Sequence, residues 1–327
     1  MRDLTTLPKA HLHVHLESTV RRPTLTAIAA ANGLDVPDVQ NAELGGFAAF
    51  FALNTLVRDA LRTPDDFRRI AYEYCEDEAA QGTRYAEVSF TAAAHGERLG
   101  DLNMPIAAVL EGLAAGREAF GIETRLILDH SRRRPVDRAW ATLRLAERHR
   151  DGVVAVGLAG DEAFPGDPFA EVFAAARDAG LHVVHHAGEA AGPASVRQAI
   201  GTGRTERVGH GIRVLDDPDL VAEIRDRRLP LEVCPSSNVA LGFAASPAAH
   251  PFARLRDAGL VVTVNTDIPA MTGRPLAAEY ALVRDTFGYD ETACADLARA
   301  AVDASFAPPE LKTRIHTEIN AWTAATP

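Results

Sequence analysis

The sequence predicts an α/β fold, a (β/α)8 barrel of the TIM type with extra helices. The first observation is that short apolar segments alternate with longer helical segments along the 327 residues, which is the pattern of repeated βα units. The second is that eight such segments can be counted, the number of strands that closes this barrel. The third is the sequence LESTVRRPTL after the first strand, where a doubly wound sheet, the alternative fold, would normally carry a glycine-rich turn. We therefore expect one barrel domain over residues 1–327, with its site at the carboxyl ends of the strands.

Each strand candidate is followed by a helical segment, and the clearest helix spans residues 63–82, TPDDFRRIAYEYCEDEAAQG. Thr63 is its expected N-cap, Pro64 its first helical residue and Gly82 the residue that stops it. The strand candidates are, in chain order, His11–His15, Arg84–Phe90, Thr124–Leu128, Val153–Leu158, Leu181–His186, Arg207–His210, Leu231–Cys234 and Leu260–Thr266.

The segment Gly33–Phe51 precedes the first long helix and is the best candidate for a lid near the N-terminus, inserted over the barrel mouth. Its aromatic residues Phe47, Phe50 and Phe51 would either close on a substrate or pack in the core. Their spacing favours core packing.

Composition and charge exclude several classes of protein. With 34 basic and 45 acidic residues the net charge is −11, and the arginines are scattered, so we expect no nucleic-acid partner. No apolar run reaches the roughly 20 residues of a membrane-spanning helix, which argues against a membrane protein. The first residues, MRDLTTLPKAHLHVHLES, lack the features of a secretory signal, and we expect a cytoplasmic location. The three cysteines are far apart, which argues against a disulfide framework and a thiolate zinc site.

Lysine occurs only twice, at Lys9 and Lys312. Neither position has the context of a Schiff-base lysine or of a phosphate-binding loop. No lysine lies near residues 153–160, so a two-metal hydrolase bridged by a carboxylated lysine on the fourth strand is excluded. Any metal site of the barrel should therefore be mononuclear.

Histidines are concentrated at the end of the first predicted strand. His11, His13 and His15 alternate with apolar residues, so all three imidazoles should point to one face. The last two lie nearest the carboxyl end, and a His-x-His pair on a strand can hold a metal ion. Hydrogen-bonded core histidines are the alternative interpretation of the motif.

Three further predicted strands end in residues of the same chemistry. In HVVHHAGE only one of His185 and His186 can face the barrel centre, and the small residues that follow bring Glu189 over the site. His210 stands between two glycines that permit close approach, and Asp267 ends the eighth strand. Imidazoles and a carboxylate suit Zn²⁺, which activates water for hydrolysis. A nearby histidine would accept the proton of the water, and a carboxylic acid would protonate the leaving side.

These residues resemble the metal-dependent adenosine deaminase family, within the amidohydrolase superfamily, over nearly the whole chain. The resemblance implies one zinc ion per chain, bound by His13, His15, His186 and Asp267. It also implies hydrolysis of adenosine or deoxyadenosine, as the default substrates, to inosine or deoxyinosine and ammonia. The motifs that carry it are, in family order, LPKAHLHVHLE, LRTPDDFRRIAYEY, RYAEVSF, LAGDE, HHAGE, RVGHGIR, LEVCPSSNVALG and VNTDIP.

The same resemblance assigns roles to individual residues. Glu189 would protonate the purine ring nitrogen next to the reacting carbon, and His210 would orient and deprotonate the attacking water. Asp267 would hydrogen-bond that water as well as bind zinc. The backbone of Gly160 would bind another ring nitrogen, and His15 is counted among the substrate contacts.

Two departures from the family pattern fall on positions that contact substrate. Ile268 stands where the family has a second aspartate that bonds the imidazole ring of the purine, and an aliphatic side chain cannot make this bond. Glu17 and Ser18 replace an aspartate and its small neighbour, and that aspartate contacts the ribose 5′-hydroxyl in the family. Losing one such contact costs about 1–3 kcal/mol, enough to change the preference among adenine compounds.

Several functions therefore stay open. The substrate could be an adenine nucleoside modified at the 5′ carbon, such as the aminodeoxyfutalosine of menaquinone synthesis, or free adenine. A mononuclear zinc amidase or lactonase on the same fold, and a metal- or nucleoside-binding protein without activity, are more remote alternatives. The sequence leaves the oligomeric state open, a homodimer included.

Overall fold

The computed structural model describes residues 2–35 and 47–325. Eight parallel strands form one sheet in which each strand pairs with the next along the chain, from β1 to β8. Helices cover this sheet and connect its strands, so the predicted (β/α)8 barrel is confirmed. The strands are β1 Lys9–His11, β2 Thr83–Phe90, β3 Glu123–Ser131, β4 Val153–Ala159, β5 His182–Ala187, β6 Arg207–His210, β7 Leu231–Val233 and β8 Val262–Val264.

The helices of the described residues surround the strands and extend beyond the repeating βα units. The α-helices are α1 Arg22–Ala31, α2 Phe47–Ala60, α3 Pro64–Ala80, α4 Ala92–Leu99, α5 Met104–Phe120, α6 Val136–Arg148, α7 Ala170–Asp178, α8 Pro193–Ile200, α9 Pro218–Asp226, α10 Pro235–Ala240, α11 Phe252–Asp257, α12 Pro269–Thr272, α13 Leu276–Phe287, α14 Glu291–Ala304 and α15 Pro309–Ala324. None of them is both long enough and apolar enough to cross a membrane.

Helix α3 begins as its sequence predicts. The Thr63 hydroxyl accepts a hydrogen bond from the backbone of Asp66, and the Asp66 carboxylate accepts one from the backbone of Thr63. This reciprocal capping box satisfies two amide groups that a helix start leaves unpaired. The chain leaves the helix through Gly82, whose φ of 81° is accessible to glycine at little cost.

The barrel closes between β8 and β1 through residues that follow both strands. The Asn265 side-chain oxygen accepts hydrogen bonds from the backbone of Leu12 at 3.0 Å and of His13 at 3.1 Å. Beyond it, Asp267 donates its amide to the His13 carbonyl, and the His15 amide donates to the Asp267 carbonyl, both at 3.0 Å. The contacts that close the barrel are thus made by the same short segments that carry the predicted metal ligands.

The predicted bounds of the first strand are wrong, because the regular strand ends at His11 and the next residues make these irregular contacts instead. His11 is also separated from the other two histidines. Its Nδ1 lies 3.0 Å from a carboxylate oxygen of Glu78 on α3, and its Nε2 lies 3.0 Å from the Thr266 hydroxyl. The expectation that three imidazoles share one face therefore fails for His11.

The lid expected over Gly33–Phe51 lies partly outside the described residues, which lack 36–46. The side chain of Phe47 also lies outside them. Phe50 and Phe51, near the start of α2, line the cavity at the carboxyl ends of the strands together with Asn54. For these two residues the expectation of core packing is wrong, since they line a cavity and are only partly buried.

Candidate active site and metal centre

Four segments at the carboxyl ends of the strands bring the predicted ligands together. His13 and His15 follow β1, His186 lies near the end of β5, His210 ends β6 and Asp267 follows β8. One nitrogen or oxygen from each of His13, His186, His210 and Asp267 lies within 4.8 Å of the others. His15 Nε2 approaches the same point, at 3.2 Å from His186 Nε2 and 3.3 Å from Asp267 Oδ1.

The donor atoms of this cluster fit a metal ion. His13 Nε2 is buried and makes no hydrogen bond to any described residue, with Asp267 Oδ1 3.6 Å away. Burying a polar nitrogen without a partner costs free energy, which a bound metal ion would offset. The Nε2 atoms of His15 and His186 face each other, and an oxygen of Asp267 completes the set. Imidazole nitrogens with one carboxylate oxygen are a usual donor set for Zn²⁺. The four residues within 4.8 Å of one another include His210, whereas the predicted ligand set has His15 in its place. The imidazole of His15 nevertheless lies next to the same atoms.

Two of these residues have a backbone conformation that is rare for their residue types. His210 has a φ of 65° and Asp267 a φ of 60°. Side chains other than glycine adopt positive φ at a cost, and such positions concentrate at functional sites. At both positions the chain leaves its strand in the left-handed conformation and points the side chain into the cluster.

Glycine permits the close packing of the imidazoles, as the sequence predicts for the residues beside His210. A Cβ added to Gly209 would lie 2.9 Å from the Cε1 of His13. Gly188, with a φ of 71°, makes the tight turn that precedes Glu189. A Cβ at Gly188 would lie 2.6 Å from a methyl carbon of Val196.

Buried carboxylates orient two of the histidines. Glu232 on β7 lies 2.9 Å from Nδ1 of His13, and Asp129 on β3 lies 3.2 Å from Nδ1 of His15. A carboxylate on the far nitrogen of a metal-binding histidine fixes the ring orientation and the tautomer. Burial opposes protonation of His13, but the nearby carboxylates of Asp267 and Glu232 outweigh it and raise the pKa of His13 to about 9. Neither Glu232 nor Asp129 was predicted from the sequence.

Glu232 belongs to an ionic network inside the barrel. The Arg207 guanidinium lies 2.5 Å from a Glu232 oxygen and 2.5 Å from a Glu87 oxygen, and all three side chains are buried. Its carbon atom also lies 3.9 Å from the centre of the Phe306 ring. A signal was available in the sequence, since charged residues interrupt short apolar strands at these positions, as in LEVC and RYAEVSF.

Glu189 is buried and points toward the cluster. Asn238 on α10 donates a hydrogen bond to Glu189 at 2.8 Å, and His210 Nδ1 lies 3.3 Å from the same carboxylate oxygen. Burial, together with the charge of Asp267, raises the pKa of Glu189 well above its usual value. Burial, together with the charge of His13, lowers the pKa of His210 to about 3. Both shifts favour the uncharged forms, a carboxylic acid that can donate a proton beside an imidazole that can accept one.

Asn238 was also missed, although its motif LEVCPSSNVALG carries part of the family resemblance. His250 holds it in place, with 3.1 Å between His250 Nε2 and the Asn238 side-chain oxygen. In the same helix Ser237 donates to the second carboxylate oxygen of Asp267 at 2.5 Å. Helix α10 thus fixes the carboxylates of Glu189 and Asp267. Its residues are uncharged, so no charged motif in the sequence indicates this role.

A cavity of about 120 Å³ opens beside the cluster. Its walls bring together the cluster, the acid and the expected purine-binding backbone. The lining residues are His15, Phe50, Phe51, Asn54, Thr91, Asp129, Ser131, Ala159, Gly160, His186, Glu189, His210, Leu241 and Asp267.

The two positions that depart from the family pattern lie outside this lining. Glu17 is buried, and its Oε1 accepts hydrogen bonds from the Thr91 amide at 3.1 Å and hydroxyl at 2.5 Å. His95 Nε2 lies 3.1 Å from the same oxygen. Burial raises the pKa of Glu17, but His95 and Thr91 outweigh it and lower this pKa to about 2. Ile268 is fully buried directly after Asp267.

Comparisons with known proteins identify the family of the chain. The family model described as adenosine deaminase matches residues 8–322. An adenine deaminase of Streptomyces coelicolor is 37% identical, over 98% of this chain and 96% of the relative. An aminodeoxyfutalosine deaminase of the same organism is 38% identical, over 98% of this chain and 85% of the relative.

Solved structures of similar proteins have the same fold. An adenine deaminase from Arthrobacter aurescens has a TM-score of 0.92 and 30% identity, covering 97% of this chain and 99% of its own. An amidohydrolase from Burkholderia ambifaria, described with bound zinc, has a TM-score of 0.89 and 26% identity, covering 98% of this chain and 94% of its own. The chain therefore belongs to the adenosine deaminase family of the amidohydrolase superfamily, and is a hydrolase that acts on a purine C–N bond.

Proposed function

We propose that this protein is a zinc-dependent deaminase of 6-aminopurines, and that free adenine is its preferred substrate. The observation that carries the proposal is the convergence in one cavity of a histidine and aspartate cluster, a buried acid at Glu189 and a buried imidazole at His210. Relatives named as deaminases of adenine compounds support the same chemistry. The reaction converts adenine and water into hypoxanthine and ammonia.

The chain's own residues supply the proton transfers. When bound by His13, His15, His186 and Asp267, zinc would polarise the attacking water and lower its pKa to about 7. His210 accepts the proton that the water loses as its oxygen bonds to the amino-bearing carbon. Glu189 donates its proton to the adjacent ring nitrogen, so that no negative charge accumulates on the ring.

The remaining steps regenerate the carbonyl product. The amino group takes up the proton held by His210, and the C–N bond breaks so that ammonia leaves. The hydroxyl proton passes to Glu189 as the carbonyl forms, which restores both residues. Gly160, whose backbone lines the cavity, is positioned to hydrogen-bond another ring nitrogen of the base. Phe50 and Phe51 exclude water from the apolar side of the cavity, which strengthens each polar contact inside it.

One feature favours free adenine over the nucleosides that the sequence resemblance makes the default. Glu17, at the position that contacts the ribose in the family, gives one oxygen to Thr91 and His95. A sugar would therefore compete with Thr91 and His95 for Glu17, whereas the free base does not need that contact.

We expect zinc-loaded protein to release ammonia from adenine with a kcat/KM at least about fivefold above that for adenosine. One lost buried contact to the sugar costs about 1–3 kcal/mol, which corresponds to about 5- to 150-fold. The measurement is ammonia release from adenine, adenosine, deoxyadenosine and a 5′-extended adenine nucleoside at equal concentrations. A preference for the extended nucleoside would assign the alternative substrate, and no turnover of any adenine compound would exclude adenine deamination.

Zinc affinity should depend on the carboxylate behind His15. We expect Asp129→Ala to weaken zinc binding by about 10- to 100-fold, because His15 loses the group that fixes its ring. Competition with a chromogenic chelator measures the dissociation constant without any assay of activity. Ser131→Ala on the same strand is the matched control, since Ser131 also lines the cavity. Equal zinc affinity in the two variants would show that His15 is not a ligand or needs no orientation.

The native metal, the assembly and the cytoplasmic location stay predictions. One zinc ion per chain follows from the donor set, which holds one tight cluster among the described residues. A small-molecule purine as the partner is expected from the family, and the oligomeric state stays open, a homodimer included.

A further inference from the structure

A single carboxylate gathers the backbone of the loop that carries Glu189. Glu162, in the loop after β4, accepts hydrogen bonds from the amide of Gly188 at 2.7 Å and from those of Glu189 and Ala190 at 2.8 Å. The amide of Ala191 donates to it at 3.4 Å. Consecutive amides directed at one point form an anion-binding nest, and here a side chain of the same protein fills it.

A neighbouring cation holds the other end of the same turn. Arg132, which follows β3 and is buried, donates to the carbonyl of His186 at 2.7 Å. Its second terminal nitrogen donates to the carbonyl of Phe164 at 3.3 Å, in the loop that contains Glu162. The carbonyl before the turn and the amides after it are thus bound by opposite charges from two adjacent loops. The amides of Gly211 and Arg213 donate to the carbonyls of Ala187 at 3.0 Å and of Gly188 at 2.9 Å, so the loop after β6 also holds the turn.

Glu162 also links the two groups expected to hold the purine ring. Gly160 lies two residues before it in the same loop, and Glu189 lies in the loop that it binds. Both line the catalytic cavity. Because Glu162 bonds directly to the Glu189 amide, it ties the loop that carries the acid to the loop that carries Gly160, in addition to the pairing of β4 with β5.

We infer that Glu162 is a positioning residue for the reaction, which fixes Glu189 and Gly160 at the spacing that the purine ring requires. It contacts none of the atoms of the metal cluster and acts through the backbone amides of residues 188–191. The expected effect on rate rests on the proposed function. The hydrogen bonds from the amides of residues 188–191 to Glu162, which we call the Glu162 clamp, are a property of the fold.

The test is Glu162→Gln, which keeps the shape of the side chain but places an amide NH₂ among backbone donors. We expect kcat for adenine to fall by about 10²-fold, the effect of a misplacement of about 1 Å in a catalytic group. The zinc dissociation constant should stay within about twofold, since Glu162 contacts none of the ligand atoms. Glu171→Gln, the same change at an exposed position of α7, is the matched control and should leave kcat unchanged.

A double-mutant cycle separates positioning from a merely structural role. If Glu162 acts through Glu189, Glu162→Gln should cost less than about threefold in protein that already carries Glu189→Gln. If the losses in kcat caused by Glu162→Gln and by Glu189→Gln multiply in full in the double variant, the inference is overturned. Should Glu162→Gln fail to fold, Glu162→Asp, which shortens the reach but keeps the charge, enters the same cycle with the same criterion.

Amide hydrogen exchange distinguishes failure of this inference from failure of the proposed function. In the unmodified protein residues 188–191 should exchange slowly, and Glu162→Gln should speed their exchange without affecting β5. Slow exchange in a protein that turns over no adenine compound would refute the function and leave the clamp. Exchange that is unchanged by Glu162→Gln would refute the clamp, whatever the activity.

Discussion

Replacing Glu189 by glutamine is expected to lower kcat for adenine by about 10²- to 10⁴-fold, the usual contribution of a positioned general acid. Glutamine has the same shape and can still accept the hydrogen bond from Asn238. It has no acidic proton to give to the ring nitrogen, so the charge that develops on the ring stays uncompensated. The measurement is ammonia release by zinc-loaded variant and unmodified protein under saturating adenine.

Binding measurements show whether the loss belongs to the chemical step. The dissociation constant of hypoxanthine should change by less than about fivefold in Glu189→Gln, and zinc should stay bound, because Glu189 is not among the predicted ligands. Glu310→Gln, at an exposed position of α15, controls for the same substitution elsewhere. A variant that retains more than a tenth of the original kcat would rule out Glu189 as the acid and favour a reaction that needs no ring protonation, such as amide hydrolysis.

Removing the cation at the centre of the barrel should destabilise the protein more than any surface change. We expect Arg207→Met to lower the free energy of unfolding by about 3–5 kcal/mol, because the carboxylates of Glu87 and Glu232 then stay buried without their cation. Urea unfolding of metal-free protein measures this loss without the contribution of bound zinc.

The control is an ion pair of similar geometry in a different environment. Arg68 binds Glu111 on the surface at 2.6 Å, and both side chains are largely exposed. Arg68→Met should therefore cost less than about 1 kcal/mol. If Arg207→Met lowers the free energy of unfolding no more than Arg68→Met does, the buried network contributes little to stability. Water or rearranged side chains would then have to compensate the carboxylates of Glu87 and Glu232.

Much of the fold and of the site could be predicted from the sequence, because the relevant signals are local. Alternating apolar segments and helices predicted a (β/α)8 barrel, and the capping of α3 followed from Thr63 and Pro64. Since the carboxyl ends of parallel strands meet at one edge, residues that follow different strands could be expected to converge. The structure brings His186, His210 and Asp267 to one point accordingly.

Other features depend on contacts between residues that are distant in the chain. The direction of His11 is set by Glu78 and Thr266, so the alternation within the first strand could not reveal it. Likewise, whether Glu17 faces a substrate or its own protein depends on Thr91 and His95.

The sequence by itself determined the barrel, the family and the residues whose chemistry suits a zinc-dependent deaminase. Only the tertiary structure decided which polar residues support them: Glu232 behind His13, Asn238 beside Glu189, and Glu162 beneath the loop that carries the acid. The physical reason is that a ligand or an acid is recognised by its residue type, whereas a supporting group is defined by its distance to another side chain. A buried carboxylate among apolar residues shows that a partner must exist, and only the packed fold shows which residue it is.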